Sequence, residues 1–163
     1  SGAHFNPLVT LAEALHRRLA WPDVPAYIGA QLAGALAGVA VANLMFGEPL
    51  FSVSQQARAG TAQVWSEFVA SFGLLSVIFG ATRAQTAALP YAVGAYIAAA
   101  YWFTASTCFA NPAVTLARAA SDSFAGIRPQ DVPGFLLGQL LGAGAAIVFW
   151  RWLVPAKDRA SGH

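Results

Sequence analysis

The sequence predicts an all-α membrane protein built as an inverted repeat, with two helices too short to cross a bilayer set among full-length spans. Three observations carry this. Hydrophobic residues make up 57% of the 163 residues and charged residues only 10%, where a soluble domain carries about 25% charged residues. An Asn-Pro helix start occurs twice, as His4-Phe5-Asn6-Pro7-Leu8-Val9-Thr10-Leu11-Ala12 and as Ala110-Asn111-Pro112-Ala113-Val114-Thr115-Leu116-Ala117, about 105 residues apart. The stretch after each start is repeated as well. Asp23-Val24-Pro25 returns as Asp131-Val132-Pro133, and each is succeeded by a matched Gln (Gln31, Gln139) and Gly (Gly34, Gly142).

Asn is a strong N-cap and Pro is favoured at the first helical position, so each motif opens a helix. Residues 6–17 would span roughly 18 Å and residues 111–120 roughly 15 Å at about 1.5 Å per residue. That is about half of a ~30 Å hydrocarbon core. A small-residue loop leads into the first start, and His16-Arg17-Arg18 closes its half-helix in basic residues. After a turn at 21–25, spans are expected at 24–46, 64–82, 89–103 and 133–154. Glu67 interrupts the second of these, and Pro90 lies near the start of the third. Polar connections fill 47–63, 83–88 and 121–131, and a polar re-entrant loop fills 104–110. Ala30, Gly34 and Gly38, and again Gly134, Gly138 and Gly142, recur at a spacing that lets helices pack closely within one subunit. A basic tail carries Lys157 and Arg159.

The second copy of the repeat is preceded by two spans and the first by none. The chain also opens inside a motif, without Met. Symmetry therefore predicts two further spans, roughly 45 or more residues, ahead of Ser1. On this reading residues 1–163 are one channel domain, with 1–46 the end of the first repeat and 64–154 the second. An odd number of spans per repeat inverts the two copies, and inverted repeats of broken helices are a transport architecture. If the first half-helix enters from the cytoplasm, Arg17, Arg18, Arg83, Arg151, Lys157 and Arg159 fall inside, and Arg58, Arg118 and Arg128 outside. This agrees with the positive-inside rule.

Several function classes drop out. A net charge of +2 on scattered residues does not suit nucleic acid, and a lone Cys108 excludes an intrachain disulfide. No secretory signal is recognisable. No nucleophile stands with a base, no paired carboxylates are in reach, and no metal-ligand spacing occurs, so neither an enzyme nor a cofactor is expected. A passive channel is favoured, with a non-conducting or inactive truncated membrane protein as the alternative.

Ser1-Gly2-Ala3-His4-Phe5-Asn6-Pro7 and Ala110-Asn111-Pro112-Ala113 resemble the two Asn-Pro-Ala boxes of the aquaporin family, the major intrinsic proteins. The resemblance covers nearly the whole chain, from the family's first loop helix through its sixth span. It implies an aquaporin-like helical bundle, a homotetramer when full length, embedded in the lipid bilayer of the inner membrane and passing small neutral solutes. Two half-helices would meet N-terminus to N-terminus at the bilayer centre, where their dipoles disfavour cations. Asn6 and Asn111, with Pro7, Pro112, Leu8 and Ala113, would form the constriction. Each Asn would cap its helix through oxygen and offer its amide N–H groups to a passing solute. Carbonyls of Gly2, Ala3, His4, Thr107 and Phe109 would line the path, as irregular backbone at membrane depth does beside water. Glu67 would support the second loop by accepting its N–H groups, and His4 would orient the first.

Two departures from the family pattern bear on selectivity. Leu8 replaces the usual Ala of the first box and is expected to narrow or dry that end of the constriction. Val114 replaces the Arg that usually comes after the second box, and Arg118 lies a turn further towards the surface. The family's filter positions then fall on Ala99, Cys108 and Val114, which are small and uncharged. They imply a wide, weakly polar filter, suited to glycerol-like polyols or arsenous acid rather than strictly to water. The stretch from Thr104 to Ile127 also resembles bacterial members associated with arsenic handling.

Overall fold

The computed structural model describes residues 2–84 and 87–154. Ser1 and the basic tail with Lys157 and Arg159 lie outside the described residues. Within them the chain is helical, with no strand. In order come α1 (Pro7–Leu15), α2 (Val24–Met45), α3 (Thr61–Arg83), α4 (Leu89–Phe103), α5 (Pro112–Arg118) and α6 (Val132–Leu153). Short 3-10 turns, Trp21–Asp23 and Pro129–Asp131, feed α2 and α6. Each places a Pro in its first turn, and both helices that they feed are 22 residues long.

Three helical stretches are long and apolar enough to cross a membrane: Trp21–Met45, Thr61–Arg83 and Pro129–Leu153. The expected span over 89–103 is a helix at the right place but not a full span. Its 15 residues reach only about 22 Å at 1.5 Å per residue. Pro90 sits in its first turn. Its far end stops where Thr104 turns extended and donates its hydroxyl to the Ala100 carbonyl at 2.7 Å. The half-helices are shorter than expected too. α1 has 9 residues and gives way to His16 and a left-handed Arg17 (φ 59°), and α5 has 7.

The packing centre is the contact of α3 with α6. Leu75 and Phe79 of α3 meet Ala143, Ala146 and Ile147 of α6, and Leu8, Val9 and Ala12 of α1 close the same cluster. Gly138 and Gly142 are what let these helices touch. A Cβ at Gly138 would strike the Val64 carbonyl, and one at Gly142 the Phe68 carbonyl. Among the described residues nothing lies against Gly34 and Gly38 of α2, so the close approach seen here is that of Gly138 and Gly142 in the second repeat. α2 instead runs along α5 and α1 and buries only Val24 and Asn43. On the other side of α3, Ala70 and Leu74 pack with Ala100 of α4 and with the loop residues Cys108 and Ala110.

The two half-helices lead to opposite ends of the bundle. The Arg151 side chain near the end of α6 donates to the Leu15 carbonyl at the end of α1, and His16 packs on Phe79 near the end of α3. At the far end, residues 47–60 lie over the exit of α5: Ser52 and Ser54 donate their N–H groups to the Ala120 and Ala119 carbonyls. Arg17, Arg18, Arg83 and Arg151 thus gather at one end, and Arg58, Arg118 and Arg128 at the other, the grouping that the charge pattern requires.

Candidate pore constriction

Each half-helix begins on an Asn in extended conformation. The Asn6 side-chain oxygen accepts the Leu8 N–H at 2.9 Å. The Asn111 oxygen accepts the N–H groups of Ala113 and Val114 at 3.0 and 3.3 Å. Capping of this kind stabilises a helix start by about 1 kcal/mol. The side-chain nitrogens then cross over. Asn6 Nδ2 donates to the Ala110 carbonyl at 2.7 Å, and Asn111 Nδ2 donates to the Phe5 carbonyl at 2.8 Å. The two loops are tied by a reciprocal pair of hydrogen bonds, each ending on the residue just before the other Asn. Since an amide NH₂ has two hydrogens, one N–H per Asn is spent on this tie. The expectation that both were open to a solute is corrected to one.

The approach to each Asn is shaped alike. In the first loop Gly2, Ala3 and Phe5 have positive φ (70°, 49° and 50°). In the second, Thr107, Cys108 and Ala110 do (60°, 50° and 44°). These are the same offsets from Asn6 and Asn111. Left-handed conformations cost non-glycine residues on the order of 1 kcal/mol each, so five such residues persist only because the surroundings hold them. Only Gly2 announced this in the sequence.

Behind the loops, Thr10 donates its hydroxyl to the Asn6 carbonyl at 3.2 Å and accepts Gln31 Nε2 at 2.9 Å. Thr115 does the same for the Asn111 carbonyl at 2.9 Å and accepts Gln139 Nε2 at 2.8 Å. His4 Nδ1 lies 3.1 Å from the Thr10 hydroxyl, and its ring lies tilted against Tyr27 with the ring centres 5.2 Å apart. Glu67, fully buried, accepts the N–H groups of Phe109 and Ala110 at 2.9 and 2.8 Å and the Gln139 amide at 2.6 Å. Gln31, Gln139, Thr10 and Thr115 did not stand out as site residues in the sequence. The available signal was recurrence: each Thr comes four residues after its Asn, and each Gln eight residues after the repeated Asp.

The remaining candidates are not all brought together. Leu8 does not narrow the constriction: it is 1% exposed and points into the cluster between α3 and α6. Ala113 is likewise buried. Val114 lines two cavities of about 600 and 640 Å³ that run along α2 and α5 on either side of it. The inner one also touches Ala3, His4 and Phe5. Ala99 is exposed on α4 and lines neither cavity, and the Cys108 side chain is 3% exposed, packed on Ala70, Leu74 and Ala100.

Two arginines that the sequence left outside the site sit beside the second loop. Arg58 donates to the carbonyls of Gly126 (2.7 Å), Phe124 (2.8 Å) and Ser106 (3.2 Å), and to the Thr107 hydroxyl (3.3 Å). Burial, and next the charge of Arg118, pull its pKa below the ordinary value; an arginine remains charged at any working pH. The Arg58 and Arg118 guanidinium carbons lie 4.9 and 4.3 Å from the centre of the Phe109 ring. Among the described residues no cluster of His, Cys, Asp or Glu could hold a metal ion.

The family profile described as "Major intrinsic protein" matches residues 1–102. The chain is 54% identical to aquaglyceroporin AqpS of Rhizobium meliloti (strain 1021) over 96% of its own length and 68% of that relative's. It is 30% identical to aquaporin NIP6-1 of Arabidopsis thaliana over 98% of its length and 53% of the relative's, and 45% identical to probable aquaporin NIP4-2 of the same plant over 49% and 29%. The chain belongs to the major intrinsic protein family. Members of this family are membrane channels, not enzymes.

Proposed function

We propose that the protein is a passive channel for small uncharged solutes, glycerol-like polyols and arsenous acid among them, in the inner membrane, where the intact protein assembles as a homotetramer. The observation that carries the reading is the crossed pair of Asn side chains. Each Asn is fixed at both ends, by its own helix start and by the opposite loop. One N–H of each is left to donate to an oxygen-bearing solute at the meeting point. A donor held in place this way exchanges a solute's hydration for protein contacts without first reorganising. Val114, in place of a large charged side chain, leaves room for a polyol. The 54% identity to a protein named an aquaglyceroporin supports the same preference.

Proteoliposomes of the intact protein test this, with shrinkage assays for water and glycerol and uptake of arsenous acid. Glycerol and arsenous acid fluxes well above those of protein-free vesicles are expected. Water flux alone would refute the polyol preference, and no flux of any solute would favour the non-conducting alternative.

A further inference from the structure

Position 114 carries no charge, yet a guanidinium reaches that level of the site from the next turn of α5. Residues four apart on a helix share a face, and a helical side chain leans towards the N-terminus, covering the turn before its own Cα. Arg118 stands four residues after Val114 and lines the same outer cavity. Its guanidinium does not extend outward. It folds onto Phe109, 4.3 Å from the ring centre. Phe109 belongs to the loop just ahead of Asn111, so the charge lies against that loop rather than out beyond the end of α5. Arg58 meets the same ring at 4.9 Å and is anchored to the backbone at residues 106, 124 and 126. Aromatic rings attract guanidinium groups through their faces, so one ring fixes the position of two positive charges.

We propose that Arg118, held on Phe109 and backed by Arg58, supplies the fixed positive charge that Val114 does not. Size and charge selection are thereby separated: Val114 sets the width, and Arg118 keeps small cations out. This rests on the channel reading above and assigns its charge selectivity to named residues.

The test uses the intact protein in proteoliposomes, with glycerol and potassium flux measured on the same vesicles for wild type, Arg118→Leu and Arg118→Lys. Wild type should pass glycerol with potassium flux near that of empty vesicles. Arg118→Leu should raise the potassium-to-glycerol permeability ratio by about tenfold or more, and adding Arg58→Leu should raise it again. Arg118→Lys, which keeps the charge but not the planar guanidinium on the ring, should raise the ratio less than Arg118→Leu does. If Arg118→Leu loses glycerol flux altogether, Arg118→Gln, closer in length and polarity, takes its place. An unchanged ratio in the neutral variant overturns the proposal, as does an equal rise for Leu and Lys, or a wild type that conducts potassium. A wild type that passes no glycerol defeats the channel reading itself, a result distinct from these.

Discussion

Glu67 shows how one side chain can hold a loop at membrane depth. Its carboxylate accepts three N–H groups, two from the backbone just ahead of Asn111 and one from Gln139. Removing it strands those donors where no water replaces it, and each buried unsatisfied group costs about 1–3 kcal/mol. Glu67→Ala should therefore destabilise the protein by about 3–5 kcal/mol, read as thermal unfolding in detergent. A change under about 0.5 kcal/mol would show that the loop does not depend on it. Glu67 was legible in the sequence because a carboxylate in an apolar run demands a partner. Gln139 and Thr115 were not, since such residues inside a helix read as ordinary packing. Arg118 starts a turn beyond Val114, as expected, and its long side chain folds back onto Phe109. Leu8 was read by its place in a motif rather than by the face that it occupies.

At the scale of elements, the helix starts, the turns and three of the four expected spans were written plainly in Pro placement and apolar length. The fourth, α4, was also read within its bounds, 89–103, because the polar run from Thr104 ends it; its 15 residues make a helix shorter than a full span. The glycine spacing was ambiguous, because it marks where a helix could approach and not whether one does. Gly142 decides the α3–α6 contact. Replacing a mid-helix Gly by Ala normally favours the helix by about 1 kcal/mol. Here the new methyl would collide with the Phe68 carbonyl, and overpacking costs about 1–3 kcal/mol. Gly142→Ala should thus lower the thermal midpoint in detergent despite its better helix propensity. A raised midpoint would mean that α6 can slide off α3 at little cost.

At the scale of the molecule, the outer end is fastened through Asp131. It accepts the Arg58 backbone N–H at 2.8 Å and the Arg128 side chain at 3.0 and 3.2 Å. Burial works to raise its pKa, but the hydrogen bonds from Arg128 and Arg58 outweigh it and hold the carboxyl below its ordinary value. A carboxyl depressed in the folded state stabilises above its unfolded pKa, near 3.9, and that contribution fades as pH falls through the lower folded value. Wild type should therefore be more stable than Asp131→Asn at pH 6, with the gap closing towards pH 2–3, as measured by unfolding at each pH. A gap independent of pH would exclude the carboxylate as its source. The end-to-end grouping of charges was foreseeable from the repeat; the crossed tie between the loops was not, because it joins residues more than a hundred positions apart through one hydrogen each. That tie also bears on biogenesis. Five non-glycine residues hold left-handed backbone that their own sequence resists, and each loop's conformation is fixed partly by the other. Neither loop has its finished shape while the chain is half made. The crossed hydrogen bonds need both Asn residues, so the centre of the molecule takes its finished shape only once the second Asn has been made.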